Sequence, residues 1–132
     1  MQVGSKEWME NFQETVNSDQ ELDVIGKYCN IDFLLQIGSK EYIVQIRNGK
    51  MTNFFEKTPL DGWSFAIRGS LDSWKKFTQP TPPPMFHELF AAVFQGNMRL
   101  EGNIKELMAN LRFIIRFLDV TREVKTTAVE GV

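Results

Sequence analysis

An Asn-Gly pair at positions 48 and 49 constrains the fold more than any other feature of the sequence. A type I′ turn needs positive φ at both central residues, and Asn-Gly adopts that turn readily. A two-residue turn here pairs Arg47 with Lys50, which fixes the register of the two flanking strands. The other partners implied are Ile46 with Met51, Val44 with Asn53 and Tyr42 with Phe55, and the face shared by Tyr42, Val44, Ile46, Met51 and Phe55 is expected to be buried.

A further strand is predicted before this hairpin from a period of two in the sequence. One set of alternating residues is Ile31, Phe33, Leu35 and Ile37, and the other is Asn30, Asp32, Leu34 and Gln36. The glycine-containing turn at 38–41 is expected to pair Ile37 with Tyr42. That register places Asp32 directly opposite Arg47 on the exposed face. Two separate turns then agree on one inner surface, so the sequence predicts a three-stranded meander. Its inner face, extended by Phe65 and Ile67 of the next strand, is Ile31, Phe33, Leu35, Tyr42, Val44, Ile46, Phe65 and Ile67.

The remaining elements follow from helical periodicity, capping residues and turn residues. The predicted elements before the proline-rich loop 79–84 are a helix capped by Ser5, a short helix capped by Ser18, the meander, a strand over 63–68 and a helix over 71–77 capped by Ser70. After that loop, the predicted elements are a helix from Pro84 to Gly96, a strand over 97–101 and a helix from Asn103 to about Val120. The fold class expected is α+β, a five-stranded, mainly antiparallel sheet with one face covered by about five helices. The chain is expected to form a single domain, 1–132, with an ordered core over about 5–120 and a mobile tail over 121–132.

The charges argue against several classes of function. The sequence has 15 Lys+Arg and 17 Asp+Glu, which are interspersed rather than clustered, so nucleic acid is not an expected partner. Cys29 and His87 are the only residues of their types, and no glycine-rich nucleotide motif occurs. We therefore expect no metal, no cofactor and no enzymatic activity.

The longest apolar run, 89–94, is too short to span a bilayer, and without a signal segment the expected location is cytoplasmic.

Two segments resemble the sterol carrier protein type 2 family, as does the order of elements. Residues 65–74, FAIRGSLDSW, are similar to that family's fourth strand entering a helix, and residues 94–103, FQGNMRLEGN, are similar to its helix end, short strand and helix cap. The resemblance covers about 5–120. It implies a sheet covered by helices around an apolar tunnel for sterols, fatty acids, acyl-CoA or phospholipid. The chain ends Glu130-Gly131-Val132, unlike the Ser-Lys-Leu-like signal of peroxisomal members, so that location is not implied.

The last third of the chain supplies the candidate site. Five of its apolar residues between positions 86 and 117 are Phe, and the final predicted helix is apolar over more than one face. Helical stripes of this kind ordinarily fill a core, but together with the sheet face and the family resemblance they predict an apolar cavity of roughly 300 Å³ or more. The predicted ligand-binding residues are Phe65, Ile67, Phe86, Leu89, Phe90, Val93, Phe94, Met98, Leu100, Leu107, Leu111 and Ile114.

Two functions stay open at this point. The first is non-catalytic binding or transfer of a hydrophobic ligand, with transient contact with a membrane surface. The alternative is an accessory or oligomerisation domain that uses the same apolar surface in a homodimer or against a partner enzyme and takes no ligand. Arg99, Arg112 and Arg116 are candidates either for contact with an anionic headgroup or for ordinary surface charge.

Overall fold

The sheet is built around the turn at Asn48 and Gly49. Both residues have positive φ, 52° and 78°, as a type I′ turn requires. A Cβ atom at Gly49 would also lie only 2.7 Å from the carbonyl oxygen of Gly26. Both the backbone conformation and the lack of space therefore require glycine at this position. The structure, a computed structural model, describes residues 2–124. Its strands are β1 Asn30–Ile37, β2 Lys40–Arg47, β3 Lys50–Glu56, β4 Phe65–Gly69 and β5 Met98–Gly102.

These five strands form one sheet in the order β3-β2-β1-β4-β5. The pairs β1–β2, β2–β3 and β4–β5 are antiparallel, and β1–β4 is parallel. The predicted α+β class and the mainly antiparallel sheet are therefore confirmed. The meander β1–β2–β3 forms as expected, and the chain then crosses over to place β4 on the other side of β1.

The register predicted between β1 and β2 is wrong by two residues. Ile37 pairs with Lys40, because the turn consists of Gly38 and Ser39 alone, with Gly38 at a φ of 64°. Asp32 consequently lies opposite Gln45, and Arg47 lies opposite Asn30. A shift of two preserves the faces of both strands. Asp32 and Arg47 are thus diagonal neighbours on one face, joined by an ion pair of 2.7 Å.

The predicted pairing of β3 is wrong beyond Met51, because β3 contains a β-bulge. Arg47 pairs with Lys50 and Ile46 with Met51, as expected, but Gln45 then pairs with Asn53. Thr52 is the extra residue, and its side chain donates to the carbonyl of Gln45. Beyond the bulge the faces of β3 exchange. Phe55, predicted to be on the inner face, lies on the outer one with Leu34, Ile43, Trp63 and Ala66, while Phe54 packs against the inner core.

Seven helical segments surround the sheet in the described range. They are α1 Lys6–Ser18, α2 Gln20–Ile25, α3 Leu71–Phe77, α4 Leu89–Phe94, α5 Ile104–Ala109, α6 Leu111–Asp119 and a 3-10 turn Val120–Glu123. Ser5 and Ser70 accept from the backbone N–H groups that the capping patterns predicted. The cap of α2 is Asp19 rather than Ser18.

The late helices are shorter than predicted. No helix starts at Pro84, since Met85 takes a φ of 71°, and α4 begins only after Glu88. The final predicted helix is divided into α5 and α6 at Asn110, whose φ of −113° departs from helical geometry. The ordered core also extends past Val120, because Thr121 and Val124 are buried. The rest of the predicted tail, 125–132, lies outside the described residues.

The inner sheet face is the predicted one. Its eight residues are all at most 4% exposed and belong to one core cluster with side chains of the helices. Aromatic rings connect the layers: Phe12 of α1 contacts Phe117 of α6, and Phe117 contacts Phe33 of β1. Phe33 in turn stacks on Phe65 at 5.2 Å between ring centroids. The centre of the domain is thus packed by interlocking rings.

Candidate functional site

Helix α4 connects the proline-rich loop to the edge strand β5. The Glu88 carboxylate caps the helix by accepting from the N–H of Ala91 at 2.6 Å. Leu89 and Ala92 are its buried residues, and Met98 of β5 is buried beside it. Gly96, at a φ of 77°, turns the chain from the helix into the strand. A helix of six residues is too short to be stable alone, so its position depends on these contacts.

The predicted ligand-binding residues differ widely in exposure. Six are at most 2% exposed, Phe86 is 7% exposed and Phe94 is 82% exposed. The ring centroids of Phe90 and Phe94 are 6.4 Å apart. The buried six are Phe65, Ile67, Leu89, Met98, Leu107 and Ile114, and the half-buried ones are Phe90, Val93, Leu100 and Leu111. Whether they line a cavity stays a prediction.

Several half-buried side chains of α4, β5 and α6 pack against the edge of the main core. We call this set, Val93, Leu100, Leu111 and Ile115, the late apolar band. Leu89, Met98, Leu107 and Ile114 from the same part of the chain are buried in that core. The band is an apolar surface that the protein covers only in part, in contrast to the complete burial at the centre of the domain.

The surface also has open depressions with polar walls. One of about 750 Å³ is lined by Glu14, Asp19, Arg116 and Glu123 among others. Another, of about 590 Å³, is lined by Arg68, Ser70 and Met98 among others. Their linings of charged groups and hydroxyls suit water rather than an acyl chain.

A largely buried arginine holds the loop that precedes α4. Arg122, whose side chain is 15% exposed, donates from Nε to the carbonyl of Phe77 at 2.8 Å. Its Nη2 donates to the carbonyls of Phe86 and His87 at 2.9 and 3.1 Å. Its Nη1 pairs with Asp119 at 2.9 Å. Burial lowers the pKa of Arg122 from its ordinary value, while Asp119 acts in the opposite direction.

The sequence prediction missed Arg122 because it assigned position 122 to the tail. The spacing of Phe117, Val120 and Val124, at intervals of three and four residues, continues the apolar pattern of the final helix and could have shown that the core extends this far. An arginine between such residues is a candidate for a buried, multiply bonded guanidinium.

The other arginines considered for headgroup contact behave differently. Arg116 binds Asp19 through two nitrogens and also reaches Glu123, so its charge is compensated within the protein. Hydrogen bonding to Arg116 lowers the pKa of Asp19, and the same bond raises the pKa of Arg116. Arg99 and Arg112 are exposed, and Arg99 lies 3.7 Å from Glu101.

Cys29 and His87 lie in different environments. Cys29 is buried, and desolvation, with a smaller contribution from Glu106, raises the pKa of its thiol to about 11. The thiol is therefore neutral and unreactive at ordinary pH. His87 is exposed. Across residues 2–124, no group of His, Cys, Asp and Glu side chains has the geometry of a metal site. None of the helices described there combines the length and apolar character needed to cross a membrane.

Comparison with solved structures identifies the fold. A crystal structure of sterol carrier protein 2 superposes with a TM-score of 0.75 at 14% identity, over 94% of this chain and all of that one (100%). A conserved hypothetical protein from Thermus thermophilus, for which a sterol carrier identity has been suggested, gives 0.71 at 16% identity, over 96% of this chain and 92% of that one. UbiJ-SCP2, a ubiquinone synthesis protein, gives 0.59 at 8% identity, over 89% of each chain.

No family model matches the sequence, and no curated protein matches it either. At these identities the structural likeness establishes the fold, which is that of sterol carrier protein 2. The resemblance drawn from residues 65–74 and 94–103 is confirmed at that level.

Proposed function

We propose that this protein binds a hydrophobic small molecule, a fatty acid, acyl-CoA, sterol or phospholipid, without chemical change, and that it carries this ligand in the cytoplasm. The observation that supports this most directly is the late apolar band, a partly covered apolar surface on the fold of a sterol carrier.

The energetics of such burial are sufficient. Removing apolar surface from water stabilises a complex by about 25 cal/mol per Å², so an acyl chain of roughly 300 Å² contributes several kcal/mol. After the ordering costs of association, about micromolar affinity is left. No ion pair or metal is needed for this, although a polar headgroup would remain in water near the surface.

We place the ligand between α4 and β5. Separation of α4 from β5 would expose Leu89, Ala92 and Met98, which are buried in the closed form. Met85, which precedes α4, and Met108 of α5 are both partly exposed. Flexible thioethers of this kind adapt to ligands of different shape. The proposal therefore includes tolerance of several lipids and transient contact with a membrane surface during exchange.

The test is titration of a fluorescent fatty acid against the wild type and the Phe90→Trp variant. Saturable binding near micromolar Kd is expected, and the bulkier side chain should raise Kd about fivefold or more by overpacking the site. The matched control is Phe55→Trp, since Phe55 is also half-buried but lies on the opposite sheet face. An equal effect at both positions, or no binding of fatty acid, acyl-CoA or sterol probes, would contradict the proposal.

A second candidate function is an interaction domain. Phe94 is 82% exposed and Met108 is 50% exposed, and large exposed apolar side chains are the kind that anchor a protein partner. UbiJ-SCP2, with the same fold, is described as a ubiquinone synthesis protein. Sedimentation velocity over a range of concentrations separates the two functions: a dimer that Phe94→Ser dissociates, together with no lipid binding, would favour the interaction domain.

A further inference from the structure

The segment 79–94 lies beside β5 at the proposed ligand site and supplies two of its buried residues, Leu89 and Ala92. We call this segment, which consists of the proline-rich loop and α4, the cover segment. Prolines at 80, 82, 83 and 84 have no backbone N–H, so much of the loop cannot form the hydrogen bonds that hold ordinary secondary structure. Its internal bond from the N–H of Phe86 to the carbonyl of Pro83 is local and does not join it to the core.

Arg122 provides the connection to the core that the loop's own backbone lacks. The guanidinium bonds to Phe77 before the cover segment and to Phe86 and His87 within it. It also lies over the Phe77 ring, at 4.5 Å from the centroid. A planar group with five donors can bind these separate acceptors at once, which the single ammonium of a lysine cannot do.

The position of Arg122 along the chain links the cover segment to α6. The 3-10 turn Val120–Glu123 follows α6 directly, and α6 carries Leu111 and Ile115 of the late apolar band. Asp119, the last residue of α6, pairs with the same guanidinium and so fixes its direction. The bonds of Arg122 therefore run from the helix of the band to the cover segment.

The backbone of the cover segment is held in an unfavourable conformation next to these bonds. Met85 has a φ of 71°, a region that non-glycine residues avoid, and it directly precedes Phe86. Such conformations persist only when surrounding contacts enforce them. The buried ring of Phe86, with Lys76 above it at 5.6 Å, and the bonds from Arg122 are contacts of that kind.

We propose that Arg122 is the positioning residue that holds the cover segment in place beside β5, so that a hydrophobic ligand enters when its bonds to the carbonyls of Phe86 and His87 break. The part concerning ligand entry rests on the proposed function. The part concerning the hold on the cover segment can be tested without any ligand.

Thiol labelling measures the hold directly. Ala92 lies on α4 and is fully buried, so in an Ala92→Cys, Cys29→Ala protein the new thiol reacts with a disulfide reagent only when the cover segment lifts. Cys29 of the otherwise unchanged protein, buried before β1, reports on opening of the main core. Each labelling rate is compared with and without Arg122→Gln, so differences in thiol pKa cancel.

We expect Arg122→Gln to raise the labelling rate at position 92 about tenfold or more, since hydrogen bonds from a charged, buried donor are lost. The rate at Cys29 should change by less than about twofold. Arg122→Lys should give an intermediate rate, and the control Arg112→Gln, at an exposed position of α6, should change neither rate. Equal acceleration at both thiols would mean general destabilisation and would overturn the proposal, as would no acceleration at position 92.

Ligand entry is tested by stopped-flow mixing with a fluorescent fatty acid. Arg122→Gln should raise the association and dissociation rates together, with a smaller change in Kd, because the cover closes again over bound ligand. Unchanged rates would overturn the entry role. If no probe binds the wild type, the proposed function and the entry role fail together, while accelerated labelling at position 92 would still establish that Arg122 holds the cover segment.

Discussion

Two apolar regions of this protein are packed very differently. At the centre of the domain, Phe12, Phe33 and Phe117 are fully buried and in ring contact with one another or with a neighbour. At the late edge, Phe90 is half-buried and Phe94 is largely exposed, although both lie on a helix with an apolar stripe. Similar side chains thus fill a core in one region and remain partly uncovered in the other.

The difference comes from the backbone that carries the side chains. Helix α1 has thirteen residues, so its apolar stripe extends over several turns and packs against the sheet continuously. Helix α4 has six residues, follows four prolines in the loop, and lies on the edge strand β5. A short helix at an edge cannot bury all of its large side chains. The centre therefore stabilises the fold, and the edge offers surface to a ligand or partner.

Substitution at the centre should have the largest effect. Phe33→Ala removes a fully buried ring that stacks on Phe65 and contacts Phe117, so we expect a loss of about 3–5 kcal/mol in the free energy of unfolding. Urea denaturation measures this value. Phe90→Ala, at the half-buried edge position, should cost about 1 kcal/mol by loss of partial burial. Comparable losses at both positions would remove the distinction between the two regions.

An ion pair beside the packed centre should give the next largest effect. Asp19 caps α2 and binds Arg116, with its side chain only 10% exposed. Asp19→Ala removes the cap and leaves Arg116 less well paired, so a loss of about 2 kcal/mol is expected in urea denaturation at pH 7. The exposed pair Lys40–Glu56 is the control, since Glu56→Ala should cost less than about 0.5 kcal/mol.

The same pair predicts the direction of a pH dependence. The pKa of Asp19 is lower in the folded protein than in the unfolded chain, chiefly through its hydrogen bonds from Arg116. Its contribution is therefore complete above the unfolded value of about 3.9 and is lost as pH falls toward the folded pKa. Asp19→Asn should flatten this part of the acid-denaturation curve. A curve with unchanged slope below about pH 4 would show that the pair does not contribute.

The sequence predicted the centre better than the edge, for physical reasons. Alternating residues such as Phe33 and Ile46 identify the inner face whatever the register, since a shift of two leaves each residue on its side. The bulge at Thr52 left no local signal and moved Phe55 to the outer face. At the edge, the φ of Met85 and the bonds of Arg122 depend on tertiary contacts that periodicity does not record.

Relief of backbone strain at the edge should have a small stabilising effect. Met85→Gly removes the cost of a φ of 71° but adds chain entropy to the unfolded state, so the net gain expected is about 0.5 kcal/mol. Urea denaturation of this variant and of Met108→Gly, a helical position, provides the comparison. The control should be destabilised by about 1 kcal/mol. Destabilisation by Met85→Gly would mean that the methionine side chain contributes more than the strain costs.

The smallest effect on stability is expected at the most exposed phenylalanine. Phe94 is 82% exposed, so Phe94→Ser removes little buried surface and should change the free energy of unfolding by less than about 0.5 kcal/mol. The same variant should still weaken binding of the ligand or protein partner that the edge region contacts. If it weakens fatty acid binding without dissociating an oligomer, Phe94 contacts the ligand; if it dissociates a dimer and leaves fatty acid binding unchanged, the ring contacts a protein. A loss above about 2 kcal/mol would instead assign Phe94 to the core and end the contrast with Phe33.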